Sequence, residues 1–220
     1  MLYRFFKLFY GPLAFLYRPL ISLIFGKKWI IWQINALKFA PKGLSLEIGT
    51  AGWLSKIDVA IDLSFSMLKY AKKSKTYFIQ AKAEALPFKE NSFSLIFSGF
   101  PTAFIFKSEF WDEIKRVLKK EGKFICLPWV KMPYGSLYYY IQKIIYGKEE
   151  FDFTPLISLA KKRGFKVEIN AITDSFKNTI YVLVAHLFTN SSNSSSFKTS
   201  SIQISKNLLL KEGESTFLEA

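Results

Sequence analysis

The two side chains that build most metal and redox sites are nearly missing from this chain. Among its 220 residues there is one cysteine, Cys126, and one histidine, His186. A lone cysteine excludes an intramolecular disulfide and fits a reducing, cytoplasmic compartment. One Cys and one His cannot furnish the usual structural zinc site, so no metal is expected. Acid is missing too, over one region. From Met1 to Gly43 there is no Asp or Glu against seven basic residues (Arg4, Lys7, Arg18, Lys27, Lys28, Lys38, Lys42), so this segment carries +7 of the formal +14. Clean apolar runs are absent as well. Leu8–Gly26 has the length to cross a bilayer, but Gly11-Pro12 interrupts it near its start and Arg18-Pro19 near its middle. A charge at the bilayer centre costs about 2.5–3.5 kcal/mol on insertion scales. No small-residue cleavage site follows an apolar core, which argues against a secretory leader.

What is there is apolar. Half the residues are hydrophobic and 18% are aromatic, mostly Phe, which excludes a wholly disordered chain. The length suits one α/β domain with decorations. Residues 1–43 read as a basic, aromatic helical extension, with helices over Leu2–Tyr10, Leu13–Phe25 and Lys28–Phe39. Such an extension packs onto the main domain. It also has the makings of a membrane-surface anchor, with Trp29 and Trp32 at headgroup level and lysines drawn to anionic lipid; the two roles are compatible. Residues 44–187 read as the main domain. From Phe188 the chain turns into TNSSNSSSFKTSS, a low-complexity run that buries no core, so 188–220 is expected to be disordered, with at most a short helix around Ile204–Leu210.

The stretch from Leu44 to Leu68 organises the main domain. Leu44, Leu46 and Ile48 supply a strand, and Gly49 and Gly52 allow a sharp turn just beyond it. Val59–Ile61 give a second buried strand. Asp62 ends it, where a carboxylate can take both hydroxyls of a ribose, the usual work of an acid at that place in a nucleotide-binding βαβ unit. Ser64 is placed to cap the helix that carries Met67, Leu68 and Ala71 and runs on through Lys75. Thr76–Gln80 and Leu95–Phe97 read as the third and fourth strands. A helix capped by Ser108 runs through Phe110, Ile114, Val117 and Leu118 to Glu121-Gly122. Lys123–Leu127 follows as a fifth strand, then an aromatic helix after Pro133 and a helix at Thr154–Arg163 closed by Gly164. Phe165–Ile172 and Thr179–His186 read as a final antiparallel pair. The fold class is therefore α/β: a doubly wound, mostly parallel, seven-stranded Rossmann-like sheet, with any ligand outside the carboxyl ends of the strands.

Four segments in order, LEIGTAGW, AIDLSFSML, AEALPFKENSFSLIF and EIKRVLKKEGKFI, resemble the class I S-adenosylmethionine-dependent methyltransferases, and most closely their small-molecule branch. The resemblance spans about Ser45 to Leu127. It implies S-adenosylmethionine as cofactor, with Glu47 and the backbone of Gly49, Ala51 and Gly52 at its methionine portion. It further implies Asp62 on the ribose, Leu63 packed on the adenine, Ala83 and Glu84 along the adenine edge, and Ser98 offering backbone atoms near the methionine amino group. No catalytic residue is implied, because the cofactor's sulfonium is itself the activated group.

Departures from the family pattern are informative. Ala51 or Trp53 stands where a glycine is usual, Lys82 stands two positions before Glu84 where an acid is usual, and Ser94 replaces a common Asp. Only ten residues, Gly49 to Asp58, join the first two strands, at the low end for a helical crossover. The helix after the glycine loop is expected to shrink to about one turn. His186 and Cys126 read as core positions. The resulting expectation is a cytoplasmic enzyme, peripheral to the membrane in one version, that methylates a small, hydrophobic acceptor. Two alternatives stand beside it: a non-catalytic protein of the same fold acting at a membrane surface, and a nicotinamide-dependent oxidoreductase. Nucleic acid is not favoured, since no Asn-Pro-Pro-Tyr-type or Pro-Cys motif for base methylation appears.

Overall fold

The computed structural model describes residues 11, 13–50, 52, 54, 57–71, 76–147 and 150–188. The Leu2–Tyr10 helix, Ala51 of the glycine loop and the tail beyond Phe188 fall outside the described residues.

Seven strands form one sheet in the order β3-β2-β1-β4-β5-β7-β6. They are β1 (Ser45–Ile48), β2 (Val59–Asp62), β3 (Tyr77–Gln80), β4 (Phe93–Gly99), β5 (Leu118–Lys131), β6 (Phe165–Thr173) and β7 (Thr179–Leu187). All neighbours are parallel except β7, which runs antiparallel to both β5 and β6. The expected mostly parallel α/β sheet is therefore present, and the carboxyl ends of β1 to β5 share one edge.

Period-two alternation divides the core between two faces. On one face Leu46, Ile48, Ile61, Ile96 and Phe124 meet helix α4 (Ser108–Val117) and helix α6 (Thr154–Lys162) through Phe110, Trp111, Ile114, Leu156 and Ala160. On the other, Leu95, Phe97, Ile125, Leu127 and Val182 meet Trp29, Trp32 and Ala36 of helix α2 (Lys28–Ala36). Helix α1 (Ala14–Phe25) precedes α2, and Pro19 lies inside it. A 3₁₀ turn, Leu37–Phe39, completes the expected Lys28–Phe39 segment. The extension thus covers one face of the sheet, as the packing version of its expected role requires.

Four expectations need correction. Helix α3 covers Phe65–Lys69 only; Ser64 does cap it, accepting from the Met67 N–H at 3.2 Å, but the helix stops before Tyr70. Ser108 does not cap α4: it sits in the first turn and its hydroxyl donates to Glu109 at 3.0 Å. That helix ends at Val117, because Leu118 is already extended and pairs with Phe93. The turn residues Glu121-Gly122 fall inside β5, where the pairing jumps from Phe93↔Leu118 to Leu95↔Lys123. A bulge there accommodates the extra residues. β5 also runs on to Lys131, since Phe124–Val130 is buried throughout. Its pairing with β7 shifts between Cys126 and Trp129, a stretch that contains Pro128, which has no N–H for a ladder.

One buried carboxylate ties the extension to the far end of the sheet. Asp174, between β6 and β7, accepts from Trp32 Nε1 at 2.9 Å and from Asn178 Nδ2 at 2.7 Å through Oδ2. Its Oδ1 accepts from the N–H groups of Phe176 and Asn178, each at 2.9 Å. Asp174→Ala strands these donors in the interior and is expected to cost about 2–4 kcal/mol in a denaturant titration. Asp174→Asn, which keeps an acceptor, is expected to cost less. Equal losses from the two would show that the carboxylate's bonds to α2 are not what matters.

Candidate functional site

The carboxyl ends of β1, β2 and β4 bring the candidate residues together. Glu47 lies in β1 and is 3% exposed; Asp62 ends β2 and is 8% exposed. Burying a carboxylate opposes its ionisation. Desolvation is the main cause that raises Glu47 to about 7, with a smaller push from the charge of Asp62, against the hydrogen bond from Thr50. Desolvation likewise raises Asp62 to about 6, against the hydrogen bond from the Ser64 N–H.

Each of these acids has one oxygen engaged. Thr50 Oγ1 donates to Glu47 Oε2 at 2.8 Å, and the Ser64 N–H donates to Asp62 Oδ1 at 2.7 Å. Among the described residues no donor reaches Glu47 Oε1 or Asp62 Oδ2. A pair of acceptors is thus left at the edge where strands in such sheets present ligands, suited to hydroxyls and to an ammonium group. That is the observation by which the site fits S-adenosylmethionine, whose ribose and amino group supply those donors.

The glycine loop is drawn inward. Gly49 and Gly52 take φ values of +76° and +69°, where a Cβ would be strained. The N–H groups of Gly49 and Thr50 both donate to Ile61 O, at 2.9 and 3.2 Å, and the Gly52 N–H donates to Thr50 Oγ1 at 2.9 Å. These amides are spent within the chain. None of the described residues between Gly49 and Asp58 is helical, as the ten-residue spacing requires. The far end of the crossover is pinned by Asp58, whose Oδ2 accepts from the Ser45 N–H at 2.8 Å and the Ser45 hydroxyl at 2.6 Å.

The remaining candidates lie around this edge. Leu63 is 63% exposed beyond Asp62. Gln80, which sequence reasoning missed, holds that turn by donating from Nε2 to Leu63 O at 3.0 Å. Ser98 is fully buried, its hydroxyl donating to Ile48 O at 2.8 Å, which ties β4 to β1 beside the loop. Ala83 packs into the core, and Glu84 forms an ion pair with Lys107 at 2.6 Å. The AEALPF segment itself is held by α4. Arg116 makes a two-pronged contact with Glu113 and donates to Leu86 O and Phe88 O, while Glu113 accepts from the Leu86 N–H at 2.6 Å. The pairing of Glu113 with Arg116 one helical turn on was the available signal for this anchor.

Cys126 is fully buried and its thiol is pushed up by burial. Burial lowers His186 from its ordinary value, and it stands in β7 opposite Lys166. Neither approaches the loop. Among the described residues no cluster of His, Cys, Asp and Glu could hold a metal ion.

Comparison with known proteins agrees with this layout. Residues 47–126 match the methyltransferase domain family. An uncharacterized protein of Methanocaldococcus jannaschii is 39% identical over 99 residues, covering 42% of this chain and 48% of that protein. The chain therefore spans about half the length of the curated relative it matches. Among solved structures, an S-adenosylmethionine-dependent methyltransferase of Thermotoga maritima superposes with a TM-score of 0.57 at 22% identity, over 77% of this chain and 93% of that one. A candidate S-adenosylmethionine-dependent methyltransferase of Methanococcus maripaludis gives 0.60 at 16%, over 82% and 95%. A phosphoethanolamine N-methyltransferase of Haemonchus contortus, solved with phosphomonomethylethanolamine and S-adenosylhomocysteine, gives 0.53 at 18%, over 76% and 56%. At these identities the structures establish the fold. With the domain match they support the class I S-adenosylmethionine-dependent methyltransferase family read from the sequence; the nicotinamide alternative finds no support in them.

Because Asp62 and Glu47 titrate higher when folded than their ordinary 3.8 and 4.5, the ligand-free folded state holds more protons than the unfolded chain. Their contribution to stability is full below about pH 4 and is lost as pH rises through about 6 and 7. Denaturant midpoints of the wild type relative to Asp62→Asn should therefore fall between about pH 4 and pH 6 and level off above that. Parallel curves for the two proteins would show that Asp62 ionises in the fold as it does in water.

Proposed function

We propose that this protein transfers a methyl group from S-adenosylmethionine to a small acceptor with substantial apolar surface. The observation that carries the reading is the pair of buried carboxylates with unspent oxygens, Glu47 Oε1 and Asp62 Oδ2, at the carboxyl ends of adjacent strands. Asp62 would take the ribose hydroxyls and Glu47 the amino group of the methionine portion. Leu63, exposed just beyond Asp62, would lie against the adenine, with Ala83 and Glu84 along its edge and the Ser98 backbone beside the methionine end. The loop of Gly49, Ala51 and Gly52 would border the cofactor.

S-adenosylmethionine supplies a methyl group already activated by its sulfonium sulfur. The chain's work is to hold an incoming nucleophile in line with that methyl and to keep water away. This division of labour is why no triad or metal cluster is needed. Aromatic residues beyond β4 and on α1, α2 and helix α5 (Leu137–Tyr146) supply the apolar surroundings of the acceptor.

A membrane surface as the source of the acceptor is a second reading, and it has its own observation. Leu23, Leu137 and Ile144 are 83%, 71% and 80% exposed on α1 and α5, whose rings Phe25 and Tyr138 stack at 5.9 Å. Lys27 and Lys28 stand at the α1–α2 junction. No described helix is long and apolar enough to cross a membrane, so contact would be peripheral, at the cytoplasmic face in keeping with the reduced Cys126. Binding to anionic vesicles should fall steeply with salt and weaken in a Lys27→Glu, Lys28→Glu variant. Equal binding to neutral and anionic vesicles at every salt concentration would remove the electrostatic part.

The transferase reading is tested by calorimetry. Asp62→Ala is expected to weaken S-adenosylhomocysteine binding by roughly 1.5–3 kcal/mol, the loss of hydrogen bonds to a charged acceptor. Unchanged affinity in a folded variant would remove Asp62 from the site. Preference for NAD would move the protein to the oxidoreductase reading. No binding at millimolar cofactor would leave a non-catalytic protein of this fold.

A further inference from the structure

Four aromatic rings form a column that ends just beyond the carboxyl end of β4. Tyr138 of α5 stacks on Phe25 of α1 at 5.9 Å and 24°. Phe25 stacks on Trp29 of α2 at 5.3 Å and 29°, and Trp29 stacks on Phe100 at 4.0 Å and 18°. Trp29 is thus covered on both faces. Phe100 is partly exposed and is the terminal ring of the column, with Trp32 edge-on to it at 6.4 Å. Lys28 Nζ sits over Tyr138 at 4.6 Å, closing the opposite end.

The backbone is bent to put Phe100 there. Its φ is +52°, a conformation that a bulky side chain rarely adopts and that persists only where the surroundings impose it. Its N–H donates to Leu127 O at 2.8 Å, which fixes the turn. Phe100 lies two residues beyond Ser98, the side chain that ties β4 to the end of β1. Phe104 of the same loop lies 3.8 Å from where a Cβ on Gly49 would be. The terminal ring therefore belongs to the loop that abuts the glycine turn.

A polar atom is aimed at the same place. Gln33 of α2 is 3% exposed, and its Nε2 donates to Trp29 O at 3.3 Å. Its Oε1 accepts no hydrogen bond from any described residue and is not sealed from solvent, so it is open to a donor from outside the chain. That oxygen would lie 2.8 Å from a Cβ at position 99, so Gln33 reaches across the end of β4 where Gly99 leaves room for it. A partly exposed ring held at positive φ and an unpaired acceptor beside Gly99 together describe a ligand: flat, apolar, and carrying an N–H or O–H.

We propose that the acceptor is a planar hydrogen-bond donor, of the aromatic amine or phenol class, that adds its ring to the Phe100 end of the column while Gln33 Oε1 accepts its N–H or O–H. The proposal rests on the transferase reading and narrows its acceptor.

The test uses the full chain with S-adenosylhomocysteine and three matched probes, followed by saturation-transfer NMR. 2-Naphthol is planar and a donor, naphthalene is planar without a donor, and decahydro-2-naphthol is a donor without planarity. 2-Naphthol should bind about tenfold more tightly than either of the others, the scale expected for one buried hydrogen bond or one aromatic stack. Phe100→Leu should abolish the advantage over decahydro-2-naphthol. Gln33→Met should abolish the advantage over naphthalene and leave the preference for planarity. Equal affinities for the three probes in the wild type would overturn the proposal, as would unchanged selectivity in both variants. The wild-type comparison stands even if Phe100→Leu fails to fold. S-adenosylhomocysteine binding without planar selectivity would sink the platform and leave the transferase reading. Selectivity without S-adenosylhomocysteine binding would keep the platform and overturn the transfer it serves.

Discussion

Ten residues between Ile48 and Val59 constrain much of what surrounds them. So short a crossover cannot both descend the sheet and carry a helix long enough to cover it. The described part holds only Leu54 and Ile57 against the core. The apolar side chains of that face, Leu95, Phe97, Ile125 and Leu127, still have to leave water, and four fully buried side chains are worth roughly 1.5–3 kcal/mol each. Trp29, Trp32 and Ala36 supply the cover from outside the sheet's own connections. The N-terminal segment is on this account part of the core. The Trp32–Asp174 hydrogen bond then fixes the helix against the β6–β7 turn, so the cover has a register as well as a face.

The same substitution of parts moves the chemistry of the cleft. Covering the sheet with α1 and α2 brings tryptophan and phenylalanine up to the carboxyl end of β4, where an unusual backbone turn can present Phe100. Offset-stacked and edge-to-face rings attract one another beyond the area they bury, and the Trp29–Phe100 pair at 4.0 Å is the closest in the column. A loop held by its own ring stack and by a backbone hydrogen bond to β5 is organised before any ligand arrives. Preorganisation of that kind lowers the entropic cost of binding.

Much of this was legible in the sequence because it follows from short-range rules. Val59–Asp62 ends on its acid, Ser64 caps, Gly164 closes the helix before it, and the last two strands pair antiparallel. Each is written in residues that neighbour one another along the chain. The misread boundaries are those set by distant partners. Leu118–Gly122 looks helical on apolar spacing, yet Leu118 pairs with Phe93 and the glycine serves a bulge. Ser108 has the chemistry of a cap but lies one position inside the helix. The carboxylate pair at the strand ends was legible in Glu47 and Asp62 since the family pattern carries them. Gln33, Gly99 and Phe100 were not, because nothing along the chain relates residue 33 to residue 99. Their relation exists only once α2 lies across β4.

The energetics of the two buried acids bear on how the site is held. Desolvating Glu47 and Asp62 is unfavourable, and their raised pKa values record that cost in the ligand-free protein. The usual alternative for gripping such a ligand, the amides of the glycine loop, is closed off: Gly49, Thr50 and Gly52 spend their N–H groups on Ile61 O and Thr50 Oγ1. With those three amides committed, the unspent polar atoms among the described residues of this edge are acceptors, Glu47 Oε1 and Asp62 Oδ2. Hydroxyls and a cationic amine satisfy acceptors; a phosphate does not. A dinucleotide needs its pyrophosphate cradled by free loop amides at a helix N-terminus, and among the described residues of this crossover Gly49, Thr50 and Gly52 have their amides engaged and none is helical. The described part of the short connection, with its amides engaged and two acceptor carboxylates beside it, therefore suits hydroxyls and a cationic amine better than a pyrophosphate.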